Sequence, residues 1–232
     1  ETGGQNAMLV DSSALPEQVV KDVIASAFHS AGQRCSALRV LYLQADIADK
    51  VLEMLAGAMK ELVIGDPRWL TTDVGPVIND SARAELQAHV DKMEREARLI
   101  ARAPLDPALQ GAYLAPVAFE IDSIGQLEDE VFGPVLHVIR FRAGQMDRAI
   151  DEINSTGYGL TLGIHSRIDS RIAGVAADCG AGNLYVNRKI TGALVGVQPF
   201  GGFNMSGSNA KAGGPDYLRL FMEMKTVAER WV

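Results

Sequence analysis

The chain alternates short apolar runs with longer segments whose apolar residues recur at helical spacing, and this alternation limits the fold more than any other feature. Apolar runs of strand length lie at 38–43, 99–101, 113–121, 135–141, 160–165 and 183–187. Amphipathic helices are predicted at 16–32, 46–62, 81–98, 146–154 and 169–179. Strands that alternate with helices pair in parallel and are covered by their connections. The pattern therefore predicts an α/β fold with an open, mainly parallel sheet flanked by helices.

Bulk composition excludes several classes of partner. The chain has 232 residues with 47% hydrophobic and 22% charged side chains, which is typical of a globular protein with one large domain or two small ones. Its net charge of −7 argues against contact with nucleic acid or an anionic membrane surface. No apolar run approaches the roughly 18 residues that a transmembrane helix needs.

The cysteine and histidine counts argue against a disulfide framework and a metal site. Only Cys35 and Cys179 are present, so the expected compartment is the reducing cytoplasm. The four histidines are scattered without the spacing of metal ligands, and we expect no metal.

Cys35 is the candidate nucleophile. It follows a Gly-Gln turn, and Arg34 and Arg39 flank it, so nearby cations could favour its thiolate. A buried core cysteine is the alternative, and Cys179, at the end of a predicted helix, fits that description better. A cysteine hydrolase would also need an imidazole partner, and His29 is the nearest in sequence.

Carboxylates and glycines form three further motifs. Glu1 opens the run Glu-Thr-Gly-Gly, in which the glycines permit close approach of a ligand. Residues 130–134 read Glu-Val-Phe-Gly-Pro, and the Glu130 carboxylate could accept both hydroxyls of a ribose, although it also ends a run of three acids. A glycine-rich segment at 189–214 could bind a carboxylate through backbone amides, or could be a mobile surface loop.

Taken in order, these four motifs resemble the catalytic half of the aldehyde dehydrogenase superfamily, over essentially the whole chain. The finer similarity is to Δ1-pyrroline-5-carboxylate (glutamate-γ-semialdehyde) dehydrogenases, in particular the aldehyde dehydrogenase segment of bifunctional proline utilisation A (PutA) proteins. The stretches that carry it include Cys-Ser-Ala-Leu-Arg at 35–39, Leu-Thr-Thr-Asp-Val-Gly-Pro-Val at 70–77, Thr-Gly-Ala-Leu-Val-Gly at 191–196 and Lys-Ala-Gly-Gly-Pro at 211–215.

The resemblance implies a role for each site residue. Cys35 would attack the aldehyde carbon, with the oxyanion held by its own amide and by an Asn outside this chain. Glu1 would be the general base that activates water against the thioester. NAD is the implied cofactor, with Glu130 on its nicotinamide ribose and Phe132 and Gly3 beside it. The implied substrate is a small aldehyde that bears a carboxylate, and the residues expected to bind it are Ser36, Gly192, Ala193 and Phe200.

The resemblance also implies an organisation. Residues 1–220 would form the catalytic thiol domain and residues 221–232 an oligomerisation strand, so we expect a homo-oligomer. Most of the Rossmann-type cofactor domain would precede Glu1 and be missing here, which would leave this segment inactive by itself. FAD is expected only if a proline dehydrogenase domain lies upstream. Two alternatives remain open, a non-catalytic structural module of the same fold and an aldehyde dehydrogenase of broad specificity.

Overall fold

The computed structural model describes residues 2–231 and contains a seven-stranded sheet in the order β3-β4-β5-β2-β1-β6-β7. All neighbouring strands are parallel except β3 and β4, which are antiparallel. The strands are β1 (Ala7–Val10), β2 (Val40–Gln44), β3 (Arg98–Arg102), β4 (Val117–Glu120), β5 (Val135–Phe141), β6 (Thr161–His165) and β7 (Asn183–Val186).

Five α-helices connect and flank these strands: α1 (Pro16–Ala27), α2 (Ala45–Lys60), α3 (Asp80–Glu96), α4 (Met146–Asn154) and α5 (Asp169–Asp178). Local sequence accounts for their starts. Pro16 occupies the first turn of α1, where its missing N–H costs nothing. The Asn79 side chain caps α3 by accepting from the Ala82 amide at 2.8 Å. The predicted α/β fold with a mainly parallel sheet is confirmed.

The first strand was not anticipated from the sequence, although it lies in the middle of the sheet. All four side chains of β1 are fully buried, between β2 and β6. The segment Ala-Met-Leu-Val is only four residues long, and it directly follows the polar Glu-Thr-Gly-Gly-Gln-Asn motif. Burial on both faces explains why it lacks the polar and apolar alternation of an exposed strand.

Two predicted elements differ from the structure at their ends. The first helix stops at Ala27 rather than near Gly32, because Ser30, Ala31 and Gly32 all adopt left-handed backbone angles. Residues 113–116 are not part of a strand, and β4 begins at Val117. These left-handed residues after α1 change the direction of the backbone, which then leads to Cys35.

Within the described residues, the C-terminal segment does not form the predicted strand. A short 3-10 helix covers Tyr217–Phe221, and residues 222–231 form no regular element within the part of the chain described here. A strand exists only where a neighbour accepts its hydrogen bonds, and this segment has no such neighbour in the single chain. The proposed role of residues 221–232 in oligomerisation therefore stays a prediction.

The candidate site lies at the amino edge of the sheet. The segments at 2–6, 33–39, 130–134 and 157–160 each directly precede a parallel strand, namely β1, β2, β5 and β6. Parallel strands present their amino ends along one edge, so motifs far apart in sequence meet there.

Candidate active site

A tight turn presents Cys35 at this edge. The Ala37 amide donates to the Arg34 carbonyl at 3.0 Å, which places Cys35 and Ser36 at the two central positions of the turn. Within residues 2–231, no acceptor contacts the Cys35 or Ser36 amide. Cys35 is half-buried, so its thiol is supported by the protein and still accessible.

The Asn6 side chain holds this turn in place by hydrogen bonds to its carbonyl groups. Its Nδ2 donates to the Cys35 carbonyl at 2.6 Å and to the Ala37 carbonyl at 2.9 Å. Its Oδ1 accepts from the Thr161 amide at 3.1 Å, which ties the turn to the start of β6. Asn6 is only 3% exposed, and sequence analysis assigned it no role.

A cavity of about 530 Å³ opens in front of Cys35. All four residues predicted to bind substrate line it together with the thiol: Ser36, Gly192, Ala193 and Phe200. The remaining wall is formed by Arg34, Val195, Gln198, Ala212 and Gly213. The cavity therefore combines an apolar wall with few polar groups, as small-molecule sites usually do.

The glycine-rich segment is held in place by hydrogen bonds on both sides of the cavity. Phe200 and Ala212 exchange backbone hydrogen bonds at 3.0 and 2.9 Å, and the Gln198 side chain accepts from the Leu194 amide at 3.1 Å. In the part of the chain that the structure describes, the amides of Gly192 and Ala193 have no acceptor and remain available to a ligand.

Arg39 links Glu130 to the segment that carries Cys35. The Arg39 Nη2 lies 3.0 Å from Glu130 Oε1, and the second oxygen, Oε2, accepts from the Gly4 amide at 3.1 Å. Gly3 packs so closely on this carboxylate that a Cβ there would lie 1.7 Å from Oε2. The predicted cofactor residues Glu130 and Gly3 are thus in contact, although Glu130 is also a partner of Arg39.

These residues fit a nicotinamide ribose. The Glu130 side chain is 14% exposed, so its oxygens are within reach of a hydroxyl donor. Phe132 is 46% exposed and its ring lies 5.0 Å from the Arg39 guanidinium, which leaves an aromatic face for a cofactor. Glu1, the predicted base, lies outside the described residues.

The alternatives for cysteine chemistry find no support in the contacts. Burial raises the pKa of the Cys179 thiol, which favours its unreactive form. Among the hydrogen bonds of residues 2–231, none joins His29 to Cys35. Among residues 2–231, no group of three or more His, Cys, Asp or Glu side chains is arranged to hold a metal ion. No helix in that range combines the length and apolarity needed to span a membrane.

Arg39 and Asn6 are the functional candidates that sequence reasoning missed or undervalued. Arg39 was noted only as a cation near Cys35, yet it is 1% exposed at the start of a buried strand. An arginine inside an otherwise apolar run was the available signal, because buried cations need partners.

Comparison with known proteins gives a consistent result. The model of the aldehyde dehydrogenase family matches residues 1–227. Bifunctional protein PutA from Escherichia coli is 55% identical over 224 residues, which is 94% of this chain and 17% of the PutA sequence. The 1-pyrroline-5-carboxylate dehydrogenase of Geobacillus kaustophilus is 40% identical over 231 residues, covering 99% of this chain and 44% of that enzyme.

Solved structures agree with these relatives. A crystal structure of a bifunctional PutA protein superposes with a TM-score of 0.92 at 55% identity, over 95% of this chain and 22% of that one. A 1-pyrroline-5-carboxylate dehydrogenase from Thermus with bound NAD gives a TM-score of 0.92 at 40% identity, over 100% of this chain and 44% of that one. The chain spans less than half of each of these proteins.

Proposed function

This chain belongs to the aldehyde dehydrogenase family, and we propose that it supplies the thiol-bearing part of an NAD-dependent oxidation of L-glutamate γ-semialdehyde to L-glutamate in proline catabolism. The names of the PutA and 1-pyrroline-5-carboxylate dehydrogenase relatives support the substrate and the pathway. The single observation that carries the proposal is the cavity in which Cys35 meets Ser36, Gly192 and Ala193.

The cavity suits an aldehyde that bears a distant carboxylate. A buried carboxylate needs hydrogen-bond donors, and the amides of Gly192 and Ala193 together with the Ser36 hydroxyl can supply them. Phe200 and Val195 provide apolar surface for the methylene groups of the same molecule. A substrate held at its carboxylate end would place its carbonyl carbon near the Cys35 sulfur.

Cys35 begins the reaction as the nucleophile. Its thiolate adds to the aldehyde carbon, and the resulting oxyanion can accept from the free Cys35 amide. Asn6 fixes the carbonyl of the same residue, so the turn keeps its geometry while charge develops. Loss of hydride from the thiohemiacetal carbon leaves a thioester on Cys35.

NAD, when bound, would supply the hydride acceptor. Glu130 would accept from the ribose hydroxyls, and Phe132 would pack against the same end of the cofactor. Hydrolysis of the thioester needs a base, and we propose Glu1 for that role on the strength of the motif in which it stands. A reducing cytoplasmic setting would keep Cys35 free for this chemistry.

The test compares this chain with a longer form that also carries the family's cofactor-binding part, termed here the full-length form, in an assay for NADH formation from pyrroline-5-carboxylate. We expect activity in the full-length form, complete loss in its Cys35→Ala variant, and little loss in the matched Cys179→Ala variant. The chain alone is expected to be inactive, because the relatives that it matches are more than twice its length.

Three results would change the assignment. Full activity in Cys35→Ala would reject the thiol mechanism. Equal loss of a neutral and a carboxylate-bearing aldehyde after substitution of Ser36 would favour a broad-specificity enzyme. If Cys35 in the full-length form reacted with iodoacetamide no faster than Cys179, the fold would be better described as a structural module.

A further inference from the structure

Arg39 is the most enclosed cation in the site, and its side-chain donors reach two separate segments, 32–34 and 130–133. The residue is 1% exposed. Its Nη1 donates to the Gly32 carbonyl at 2.7 Å and to the Gly133 carbonyl at 3.3 Å, while its Nη2 donates to the Arg34 carbonyl at 3.2 Å. Nε and Nη2 both donate to Glu130 Oε1, at 3.2 and 3.0 Å.

The backbone of Arg39 is equally well fixed. Its amide donates to the Asn6 carbonyl at 2.9 Å, and its carbonyl accepts from the His137 amide at 2.9 Å. These bonds join the segments that precede β1 and β2 to strand β5. The guanidinium therefore projects from a rigid point of the sheet edge.

The buried guanidinium contributes more to the geometry of the site than to the free energy of unfolding. A buried ion pair contributes little net stability against an apolar replacement, but it demands that its partners stay in place. Here the partners are the Gly32 and Arg34 carbonyls near Cys35, the Gly133 carbonyl, and the Glu130 carboxylate expected to bind the ribose. Among residues 2–231, Arg39 is the only cation that forms an ion pair with Glu130.

We propose that Arg39 is a positioning residue that locks the Cys35 turn and the Glu130 carboxylate into one unit, so that the nucleophile and the ribose-binding group keep a fixed separation. The fork of the guanidinium is essential to this role, because one planar group contacts both segments at once. Lysine would keep the charge near Glu130 but could not reproduce the set of directed bonds.

This inference rests on the proposed function for its cofactor part only. Burial lowers the pKa of Arg39, while Glu130 and Cys35 both act to raise it, which agrees with the closeness of all three groups. The reactivity of the Cys35 thiol depends on the turn whether or not NAD is bound. Thiol reactivity can therefore test the link without any dehydrogenase assay.

The experiment uses Arg39→Lys in the full-length protein, with Arg140→Lys as the matched control. Arg140 also pairs with two carboxylates, Glu120 at 2.8 Å and Asp49 at 2.7 Å, but it lies on β5 away from the cavity. The first readout is the rate of Cys35 alkylation by iodoacetamide relative to Cys179 in the same molecule. The second is the KM for NAD, and the third is the same KM in a Glu130→Gln background.

We expect Arg39→Lys to change the Cys35-to-Cys179 alkylation ratio at least about fivefold and to raise the KM for NAD about tenfold, since several bonds to a charged donor are lost. Arg140→Lys should change neither. In the Glu130→Gln background the further effect of Arg39→Lys on KM should be less than about twofold, because its partner is already altered.

Unchanged alkylation in a folded Arg39→Lys protein would overturn the proposal, and so would additive KM effects. If Arg39→Lys does not fold, Glu130→Gln removes the charge of the carboxylate that pairs with Arg39. An unchanged alkylation ratio in that variant would also overturn the proposal. If no variant or parent forms NADH while the ratio still shifts, the proposed function fails and the positioning role of Arg39 stands.

Discussion

Gly32 lies three residues before Cys35, at the contact between the nucleophile turn and the Glu130 motif. Its φ angle is +66°, and a Cβ at this position would lie 2.2 Å from the Gly133 carbonyl oxygen. Alanine would therefore meet both an unfavourable backbone conformation and a backbone atom that cannot rotate away. The nucleophile turn and the Glu130 motif approach each other this closely only because Gly32 has no side chain.

Substitution Gly32→Ala should accordingly destabilise the fold by at least about 3 kcal/mol, the backbone term alone being about 1–2 kcal/mol. Gly144→Ala is the matched control, because Gly144 has a φ of +80° and no atom within 4 Å of its would-be Cβ. Urea denaturation of both variants separates the two contributions. Equal midpoints would show that the contact with Gly133 relaxes easily.

Asn6 offers a second residue-level prediction. Asn6→Ala would leave the buried carbonyls of Cys35 and Ala37 and the Thr161 amide without their partner. We expect a loss of about 3 kcal/mol, since each unsatisfied buried group costs about 1–3 kcal/mol. The Cys35 alkylation rate should change as well, because the turn is released.

Asn154→Ala is a suitable comparison for Asn6→Ala. The Asn154 side chain also bridges two backbone groups, the Asp178 carbonyl at 2.9 Å and the Gly180 amide at 2.7 Å, but at a more exposed site. Water can replace these bonds, so its loss should be about 1 kcal/mol or less, with Cys35 alkylation unchanged. An Asn6→Ala protein as stable and reactive as Asn154→Ala would contradict the anchoring role.

At the level of elements, the contact between α3 and β5 contains a pair of histidines. His137 is fully buried on β5, and its Nε2 lies 2.9 Å from the Nε2 of His89 on α3. The His137 Nδ1 lies 3.3 Å from the Arg39 carbonyl oxygen, which can only accept. His137 therefore carries its proton on Nδ1, and His89 donates to its Nε2.

This arrangement makes the fold sensitive to acid. Burial, with a smaller contribution from His89, lowers the pKa of His137 from 6.5 to about 3. Between these values the unfolded chain binds a proton that the folded chain does not, so stability falls as pH falls through that window. The expected slope from this one group is about 1.4 kcal/mol per pH unit.

His137→Asn should flatten the pH dependence of unfolding by about one proton between about pH 6 and pH 4. His29→Asn is the control, because His29 is exposed and should contribute a smaller part of the slope. Urea midpoints across this range give the measurement for both. A slope in His137→Asn as steep as that of the parent would mean that other groups dominate the acid response.

Sequence patterns anticipated the elements well wherever periodicity was long enough to read. Strand β5 and helix α4 have the predicted bounds, because the mainly apolar run and the helical spacing extend over seven and nine residues. Strand β1 has four residues and no alternation, so its central position could not be inferred. Its place depends on pairing with β2 and β6, which lie 30 and more than 150 residues away.

The site was predictable in its residue types and not in its connections. The motifs placed Cys35, Ser36 and the 192–193 loop in one predicted site, and in the structure these residues line one cavity. Nothing in the sequence showed that Arg39 would point between Gly32 and Glu130, because side-chain direction at the sheet edge follows from the register of β2 against β1 and β5. Contacts of this kind are set by the tertiary fold.

At the scale of the whole molecule, the C-terminal segment, residues 215–231, exposes many large apolar side chains. Large apolar side chains are strongly exposed there, with exposed fractions of 76% at Leu218, 74% at Phe221, 102% at Met224 and 87% at Trp231. The segment has no strand partner within the described residues, and so much exposed apolar surface is typical of an interaction site. We expect a second copy of the chain to cover it.

Truncation after Gly214 should therefore lower self-association without unfolding the sheet, since none of the seven strands extends past Val186. Sedimentation velocity over a range of protein concentrations measures the effect, and we expect the parent to show concentration-dependent species that the truncated chain lacks. The control is Leu70→Ser, which removes another exposed side chain, 105% exposed, from a loop far from the C-terminal segment in sequence.

If association drives strand formation, β content measured by circular dichroism should also rise with concentration in the parent, because unpaired strand groups gain their partners only in the assembly. Identical sedimentation of the parent and the truncated chain would remove the C-terminal segment from the interface.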